Sequence, residues 1–276
     1  MSTRGRSRSF WGTVAACAPA VLLLAFASPA VAKTPKNTGN DISWPQCGGP
    51  YPSGEHFGIV GVNGGVANDA NGCVSHEVAW AQSSPGLASP SQSRTSLYIN
   101  TADPGPAPGV TDWPRSGTDM FGTCNGSWSE PCAYLYGQQR ATYSYNLVSA
   151  VNLDLASTAP WWLDIETSNT WATPPTKGYQ GLNVAAIQGF ISGLVDAGAS
   201  APVGIYSTRG EWHAITGLTA RTTASALGSS PPAWVGGAGR TLMQVQTRCR
   251  STGFTGKRPA LVQYSAGSYD GDLRCP

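Results

Sequence analysis

The sequence has few of the residues on which many functional sites depend. Its three histidines, His56, His76 and His213, do not have the spacing of paired metal ligands. There is no Cys-x-x-Cys pair and no Gly-x-Ser-x-Gly elbow, which argues against zinc and serine-hydrolase chemistry. The glycines between Gly58 and Gly64 also lack dinucleotide-binding spacing. We therefore expect neither a metal nor a cofactor.

Charged residues and long apolar runs are also scarce. One uncharged apolar segment, from Phe10 to Phe26, follows three arginines and precedes the small residues Ala30-Val31-Ala32. This pattern is typical of a secretory signal peptide over residues 1–32, and predicts a secreted protein cleaved after about Ala32. The rest has 14 basic and 15 acidic residues. It therefore lacks the excess of basic residues that is typical of nucleic-acid binding. It also has no second apolar segment long enough to span a membrane.

Six cysteines remain after the predicted cleavage. An even number in an exported chain indicates three disulfides, although six cysteines allow about 15 pairings. Cys124–Cys132 could close a local loop, and Cys249–Cys275 could hold the C-terminus. Cys47–Cys73 would be the remaining pair.

Short apolar runs alternate with helical patterns over the first two thirds of the chain. This order is typical of a TIM-type (β/α) barrel, irregular in its last third, where little room remains for helices. We expect a flexible lead-in over residues 33–39 and a barrel domain over 40–276. The eight predicted strands are 40–45, 57–62, 96–100, 161–166, 203–207, 233–235, 242–245 and 260–264.

The intervening segments predict three helices and one long loop. Helices are expected over 74–82 and 136–153, and a third is expected to begin at Asn183 as N-cap and end at Gly198. Residues 101–133 are rich in glycine and proline and contain two cysteines. A loop of this length is typical of a functional or stapled segment over one end of a fold.

Two acidic residues follow the apolar run that begins at Trp161. In an extended strand, Asp164 and Glu166 point to the same side, while Leu163 and Ile165 point to the other. Repulsion and burial would keep one of the two protonated to a higher pH than a free carboxylic acid. Such a pair suits a general acid and an ionised partner. The alternative is a strand end with two solvated carboxylates.

Other polar residues lie where predicted strands end. The catalytic groups of a parallel barrel occupy the C-terminal ends of its strands. The residues at or next to such ends are Asp41, Asn63, Asn100, Asp164, Glu166, Tyr206 and Gln263. Exposed tryptophans could stack on sugar rings, with Trp44, Trp171 and Trp212 as candidates, although a buried core position is the more common one for any single tryptophan.

Five motifs occur in an order that resembles glycoside hydrolase family 25, the muramidase-type lysozymes. They are Asp41-Ile42-Ser43 with Gln46, the strand Phe57 to Gly64, Asp164-Ile165-Glu166, Gly204-Ile205-Tyr206-Ser207 with Trp212, and Gln263-Tyr264 with Gly271-Asp272. The resemblance covers about residues 39–274. The segment Trp44-Pro45-Gln46-Cys47, the 101–133 loop and the cysteines depart from well-studied members. The chain is therefore also similar to an adjacent exported glycoside-hydrolase-like group.

The resemblance implies a glycosidase that cleaves β-linked, N-acetylated cell-wall polysaccharide such as peptidoglycan. Glu166 would be the general acid, Asp164 would stabilise the reacting 2-acetamido sugar, and Asp41 and Asp272 would be further acidic residues. Asp270 is the alternative to Asp272, which is preferred because it follows Gly271. The expected substrate-binding residues are Asn63, Asn100, Tyr206, Trp171, Trp212 and Gln263. A non-catalytic carbohydrate-binding or envelope-interaction protein on the same barrel is the competing hypothesis.

Overall fold

The computed structural model describes residues 37–86, 93–237 and 239–276. The predicted signal peptide and most of the predicted lead-in lie outside these ranges. The first strand begins at Thr38, two residues before the expected start of the barrel domain at residue 40.

The described ranges contain ten strands and seven α-helices. In chain order the strands are β1 (Thr38–Ile42), β2 (Gly58–Gly61), β3 (Thr95–Asn100), β4 (Gly117–Asp119), β5 (Gly122–Cys124), β6 (Trp161–Asp164), β7 (Gly204–Ser207), β8 (Ala233–Val235), β9 (Leu261–Ala266) and β10 (Tyr269–Arg274). The helices are α1 (Val74–Ser83), α2 (Glu130–Ser149), α3 (Leu153–Thr158), α4 (Tyr179–Ala197), α5 (Arg209–Thr216), α6 (Thr223–Leu227) and α7 (Leu242–Val245). Short 3₁₀ turns cover Trp44–Gln46 and Gln246–Arg250.

Eight of the strands close into a barrel, as the sequence predicts. Their order around the barrel is β1-β10-β9-β8-β7-β6-β3-β2. All neighbours are parallel except β10, which runs antiparallel to both β9 and β1. The α/β barrel and its irregular last third are therefore confirmed. The single reversed strand places the start of β10, rather than its end, at the edge where the parallel strands end.

One of the eight predicted strands is wrong. Residues 242–245 form α7, because Thr241 accepts a hydrogen bond from the backbone N–H of Gln244, whose side chain accepts one from the N–H of Thr241. This reciprocal capping box stabilises the start of a helix. The eighth barrel strand is instead β10, which pairs with β9 along its whole length.

The predicted N-cap at Asn183 is also wrong. Helix α4 begins four residues earlier, and Asn183 lies buried within it. Its side chain accepts a hydrogen bond from the N–H of Ala172 and donates to the carbonyls of Ala172 and Ile215. Asn183 therefore fastens two loops to α4. Gly198 ends the helix as predicted, with φ of 123°.

The predicted 101–133 loop contains more regular structure than expected. A hairpin of β4 and β5 lies within it, and α2 begins at Glu130 rather than near residue 136. Helix α2 ends at Ser149, and the separate helix α3 covers the end of the predicted helical segment. Helix α1 covers the predicted helix 74–82.

Three disulfides fasten connecting segments around the barrel to neighbouring elements. Cys47–Cys73 joins the loop after β1 to the start of α1, and Cys124–Cys132 joins β5 to α2. Cys249–Cys275 joins the segment after α7 to the residue that follows β10. The sequence alone left several pairings open, and the structure contains these three disulfides.

The helices α2 and α4 pack so closely that Gly189 has no room for a side chain. A Cβ at Gly189 of α4 would overlap the backbone carbonyl oxygen of Tyr134 in α2, which cannot move away independently. A Cβ at Gly181, in the same helix, would meet the carboxylate end of Glu130, which is flexible.

We predict that Gly189→Ala lowers the free energy of unfolding by about 1–3 kcal/mol, because overpacking forces the two helices apart. The matched Gly181→Ala variant should be neutral or raise it by up to about 1 kcal/mol through better helix propensity. Urea unfolding of both variants would measure this. Equal effects of the two substitutions would contradict the proposed packing.

Candidate active site

A cavity of about 240 Å³ opens at the barrel edge where the parallel strands end. Four carboxylic acids line it together with three aromatic residues and one amide. They are Asp41, Asp164, Glu166 and Asp270, with Tyr98, Tyr206, Trp234 and Gln263. Every acid except Asp270 is among the strand-end residues expected from the sequence. The cavity therefore gathers residues from seven strands into one acidic site.

The end of β6 brings the first two acids to the cavity. Asp164 is the last residue of the strand and is buried, whereas Glu166 lies two residues further and is half-buried. Ile165 between them donates its N–H to the carbonyl of Tyr206 at 2.9 Å. Trp171 and Asn169 donate side-chain N–H groups to the carbonyls of Glu166 and Asp164, at 2.9 and 3.0 Å. These bonds fix the backbone that carries both carboxyls.

Both carboxyls on this segment resist ionisation. Burial raises the pKa of Asp164 well above its ordinary value, and the charges of Glu166 and Glu211 raise it further. Burial and the charge of Glu211 also raise the pKa of Glu166, which the nearby Tyr206 hydroxyl partly offsets. Among the residues that the structure describes, none forms a hydrogen bond with the Oδ1 atom of Asp164. A proton is therefore retained on this pair at a higher pH than on a free carboxylic acid.

A second acidic pair lies across the cavity on β1 and β10. Asp41 and Asp270 occupy paired positions in the antiparallel ladder. Burial, followed by the charge of Asp270, raises the pKa of Asp41 to about 7. Burial raises the pKa of Asp270 as well. This side of the cavity is therefore also partly protonated near neutral pH.

Asp272 lies beneath this pair instead of lining the cavity. It is fully buried, and no N–H or hydroxyl group in the described ranges hydrogen-bonds to its oxygens. Burial, followed by the charge of Asp41, raises its pKa well above the ordinary value. The indole of Trp234 offsets part of this rise without reaching hydrogen-bond geometry. Asp272 therefore lies below Asp41 as a buried neighbour. Asp270 is the β10 acid that faces the cavity.

A chain of polar side chains links the two acidic pairs. The Tyr206 hydroxyl donates to Oε1 of Gln263 at 2.9 Å, and Nε2 of Gln263 donates to Oδ2 of Asp41 at 3.3 Å. A Cβ at Gly236 would lie 3.1 Å from the Tyr206 oxygen, so this residue leaves room for the hydroxyl. Tyr206 and Gln263 therefore lie where the sequence places them, between the acids.

Two predicted substrate-binding asparagines do not line the cavity. Asn63 is buried, donates to the Ser144 hydroxyl at 3.2 Å and accepts from the N–H of Asn100 at 2.8 Å. Asn100 is buried at the end of β3, paired with Asp164 in the sheet. The contacts of Asn63 connect β3 to α2, which is a structural role.

Two of the three candidate stacking tryptophans are buried. Trp171 is 8% exposed, and Trp212 is 0% exposed, with its indole donating to the Thr223 hydroxyl and its ring packed on Phe254. Neither offers a face to a sugar. Trp44 is 50% exposed and remains available for stacking.

A larger cavity of about 710 Å³ continues outward from Glu166 and Tyr206. Glu211 lines it, with Oε1 accepting from Thr167 and Oε2 accepting from Thr208 at 2.8 Å. Three arginines, Arg209, Arg240 and Arg248, line the same cavity. Sequence reasoning did not identify any of these four residues, although Thr208 and Glu211 have the spacing of a capping box.

The described residues contain no group of three His, Cys, Asp or Glu side chains arranged to hold a metal ion. Within the same ranges, no helix is both long and apolar enough to cross a bilayer.

No protein-family profile matches this sequence, and none of the curated proteins is similar to it. Among solved structures, the bacterial lysozyme from Streptomyces coelicolor is similar with a TM-score of 0.48 and 14% identity, over 88% of this chain and 94% of the lysozyme. The modular Cpl-1 endolysin in complex with a peptidoglycan analogue is similar with a TM-score of 0.45 and 14% identity, over 86% of this chain and 54% of the endolysin. The chemistry of the site must be derived from its own geometry.

The raised pKa of Asp41 predicts a pH-dependent stability. Its ordinary pKa is near 3.8, so between about pH 4 and pH 7 the unfolded chain has lost a proton that the folded protein retains. The free energy of unfolding should therefore fall as the pH rises through this window, by up to about 1.4 kcal/mol per pH unit for one such proton.

We expect Asp41→Asn to make this fall shallower, as measured by urea unfolding at several pH values. The surface substitution Asn125→Ala, which removes no ionisable group, should leave the fall unchanged. A slope in Asp41→Asn identical to that of the wild type would refute the assignment.

Proposed function

We propose that this protein is a secreted glycosidase that cleaves β-linked, N-acetylated cell-wall polysaccharide, with peptidoglycan as the substrate and Glu166 as the general acid. The observation that carries the proposal is the position of Glu166. Its carboxyl lies at the junction of the two cavities, is half-buried and has a raised pKa. A general acid must hold its proton near neutral pH and still reach the leaving oxygen of its substrate.

The neighbouring acids suit complementary roles. Asp164 lies deeper, on the same segment and on the same cavity, where it would stabilise the 2-acetamido group of the reacting sugar. Asp41 and Asp270 face it from the other side, and Asp272 supports Asp41 from beneath. The charge of Asp270 raises the pKa of Asp41, and the charges of Glu166 and Asp41 raise that of Asp164, so a proton lost by one group is more readily held by another.

The other cavity residues suit a sugar ring. Tyr206 and Gln263 present a hydroxyl and an amide within the cavity, while the partly exposed Tyr98 provides an aromatic surface. Sugars are bound in proteins by this combination of aromatic faces and polar edges. No step of the proposed reaction requires a cofactor.

We further propose that residues 1–32 are a signal peptide and that residues 40–276 act outside the cell as one barrel domain. The three disulfides support this location, because such bonds persist in oxidising compartments.

Replacing the general acid tests the reaction directly. We predict that Glu166→Gln lowers the release of soluble muropeptides from purified peptidoglycan by about a hundredfold or more, because the leaving oxygen is no longer protonated. Binding to the insoluble polymer should persist. Chromatography of the released fragments would measure the rate, and pull-down with the polymer would measure binding.

The matched control is Glu130→Gln, which removes an exposed carboxylate at the start of α2. It should retain the wild-type rate. Full release by Glu166→Gln would refute the role of this residue. Binding without release by the wild type would instead identify a non-catalytic carbohydrate-binding protein.

A further inference from the structure

The larger cavity carries a cationic surface that the proposed reaction does not use. Arg209, Arg240 and Arg248 line it, and we call these three residues the arginine arm. The cavity reaches Glu166 and Tyr206, so the arm and the acidic site share one open space. A ligand long enough to pass Glu166 would therefore contact the arm.

Two residues of the arginine arm are held in place by backbone carbonyls. Nη1 of Arg248 donates to the carbonyl of Gly236 at 2.7 Å, and Nη2 of Arg209 donates to the carbonyl of Thr252 at 2.8 Å. The segment that carries Arg248 is also fastened by the neighbouring disulfide Cys249–Cys275. The guanidinium groups are therefore positioned before any ligand arrives, and this lowers the entropic cost of binding.

No carboxylate in the described ranges lies within ion-pair distance of the arginine arm. All 15 acidic residues of the sequence lie in the described ranges, and the ion pair found there joins Arg140 to Asp112, away from the arm. Two acids, Glu166 and Glu211, line this cavity, and both oxygens of Glu211 already accept hydrogen bonds from Thr167 and Thr208. Burial and the charge of Arg240 lower the pKa of Arg248, as expected for neighbouring cations without a shared anion.

We propose that the arginine arm binds an anionic substituent of the polysaccharide, a carboxylate or a phosphate, carried near the sugar that reaches Glu166. The inference rests on the proposed function, since it assigns the arm to the same ligand. Arginine presents a planar fork of N–H donors that matches the paired oxygens of carboxylates and phosphates. A neutral glycan would leave these charges unpaired, so the arm favours a charged one.

Arg240 provides the cleaner test of the arm, because its exposed side chain makes no hydrogen bond or ion pair within the described ranges. Binding would be measured by calorimetry at low salt with protein carrying Glu166→Gln, so that no probe is cleaved. The three probes are a neutral N-acetylglucosamine hexamer, a hexasaccharide of alternating N-acetylglucosamine and N-acetylmuramic acid with free carboxylates, and a glycerol phosphate oligomer.

We expect at least one anionic probe to bind about tenfold tighter than the neutral hexamer, which is the strength of one charge-assisted pair. Adding Arg240→Gln should remove most of that preference and leave the neutral hexamer unaffected. Arg248→Gln should act in the same direction. Arg221→Gln, an exposed arginine that lines neither cavity, should preserve the preference.

A preference for the carboxylate probe would identify the wall glycan itself as the source of the anion, and a preference for the phosphate probe would identify a phosphate polymer. Equal affinities for all probes, or an equal loss in Arg221→Gln, would overturn the inference. Absence of muropeptide release by the wild type, together with an Arg240-dependent preference, would refute the cleavage reaction and leave the anion site intact.

Discussion

The packing of Trp234 inside the barrel is the constraint on which the acidic site depends. Its ring lies 4.5 Å from that of Tyr206, 5.9 Å from that of Trp162 and 6.1 Å from that of Tyr98, measured between centroids. These rings fill the barrel below the acids and exclude water from that side. Burial is accordingly the largest cause of the raised pKa of every acid at the site, ahead of repulsion between charges.

This arrangement costs folding energy and so has to be stabilised elsewhere. Five acids in one region oppose folding once they ionise. The close packing of α2 on α4, the buried amide of Asn183 and three disulfides stabilise the parts of the chain that surround the barrel. The disulfide Cys249–Cys275 also holds the segment that carries Arg248, which lines the larger cavity. The stability of these surrounding parts offsets the unfavourable free energy of burying the acids.

Strands with a clear apolar pattern could be predicted from the sequence. Segments in which local signals compete could not. The apolar run ending at Asp164 and Glu166 is visible because burial and charge change abruptly there. Residues 242–245 are too few for an apolar pattern to distinguish strand from helix, and the capping box of Thr241 decides for helix. The choice between Asp270 and Asp272 depended on strand direction. Antiparallel β10 brings its earlier residue to the cavity, and no local motif encodes that reversal.

The charge of the site near neutral pH differs from a count of its residues. The acids around the smaller cavity hold protons that free carboxylates would lose, so their combined negative charge is reduced. Arg209 and Arg240 are exposed cationic side chains on the larger cavity. The joined cavities therefore have acids that retain protons at one end and arginines at the other, which is a gradient of charge. A glycan that carries an anion on one side would be oriented by this gradient, with its neutral sugar over the acids.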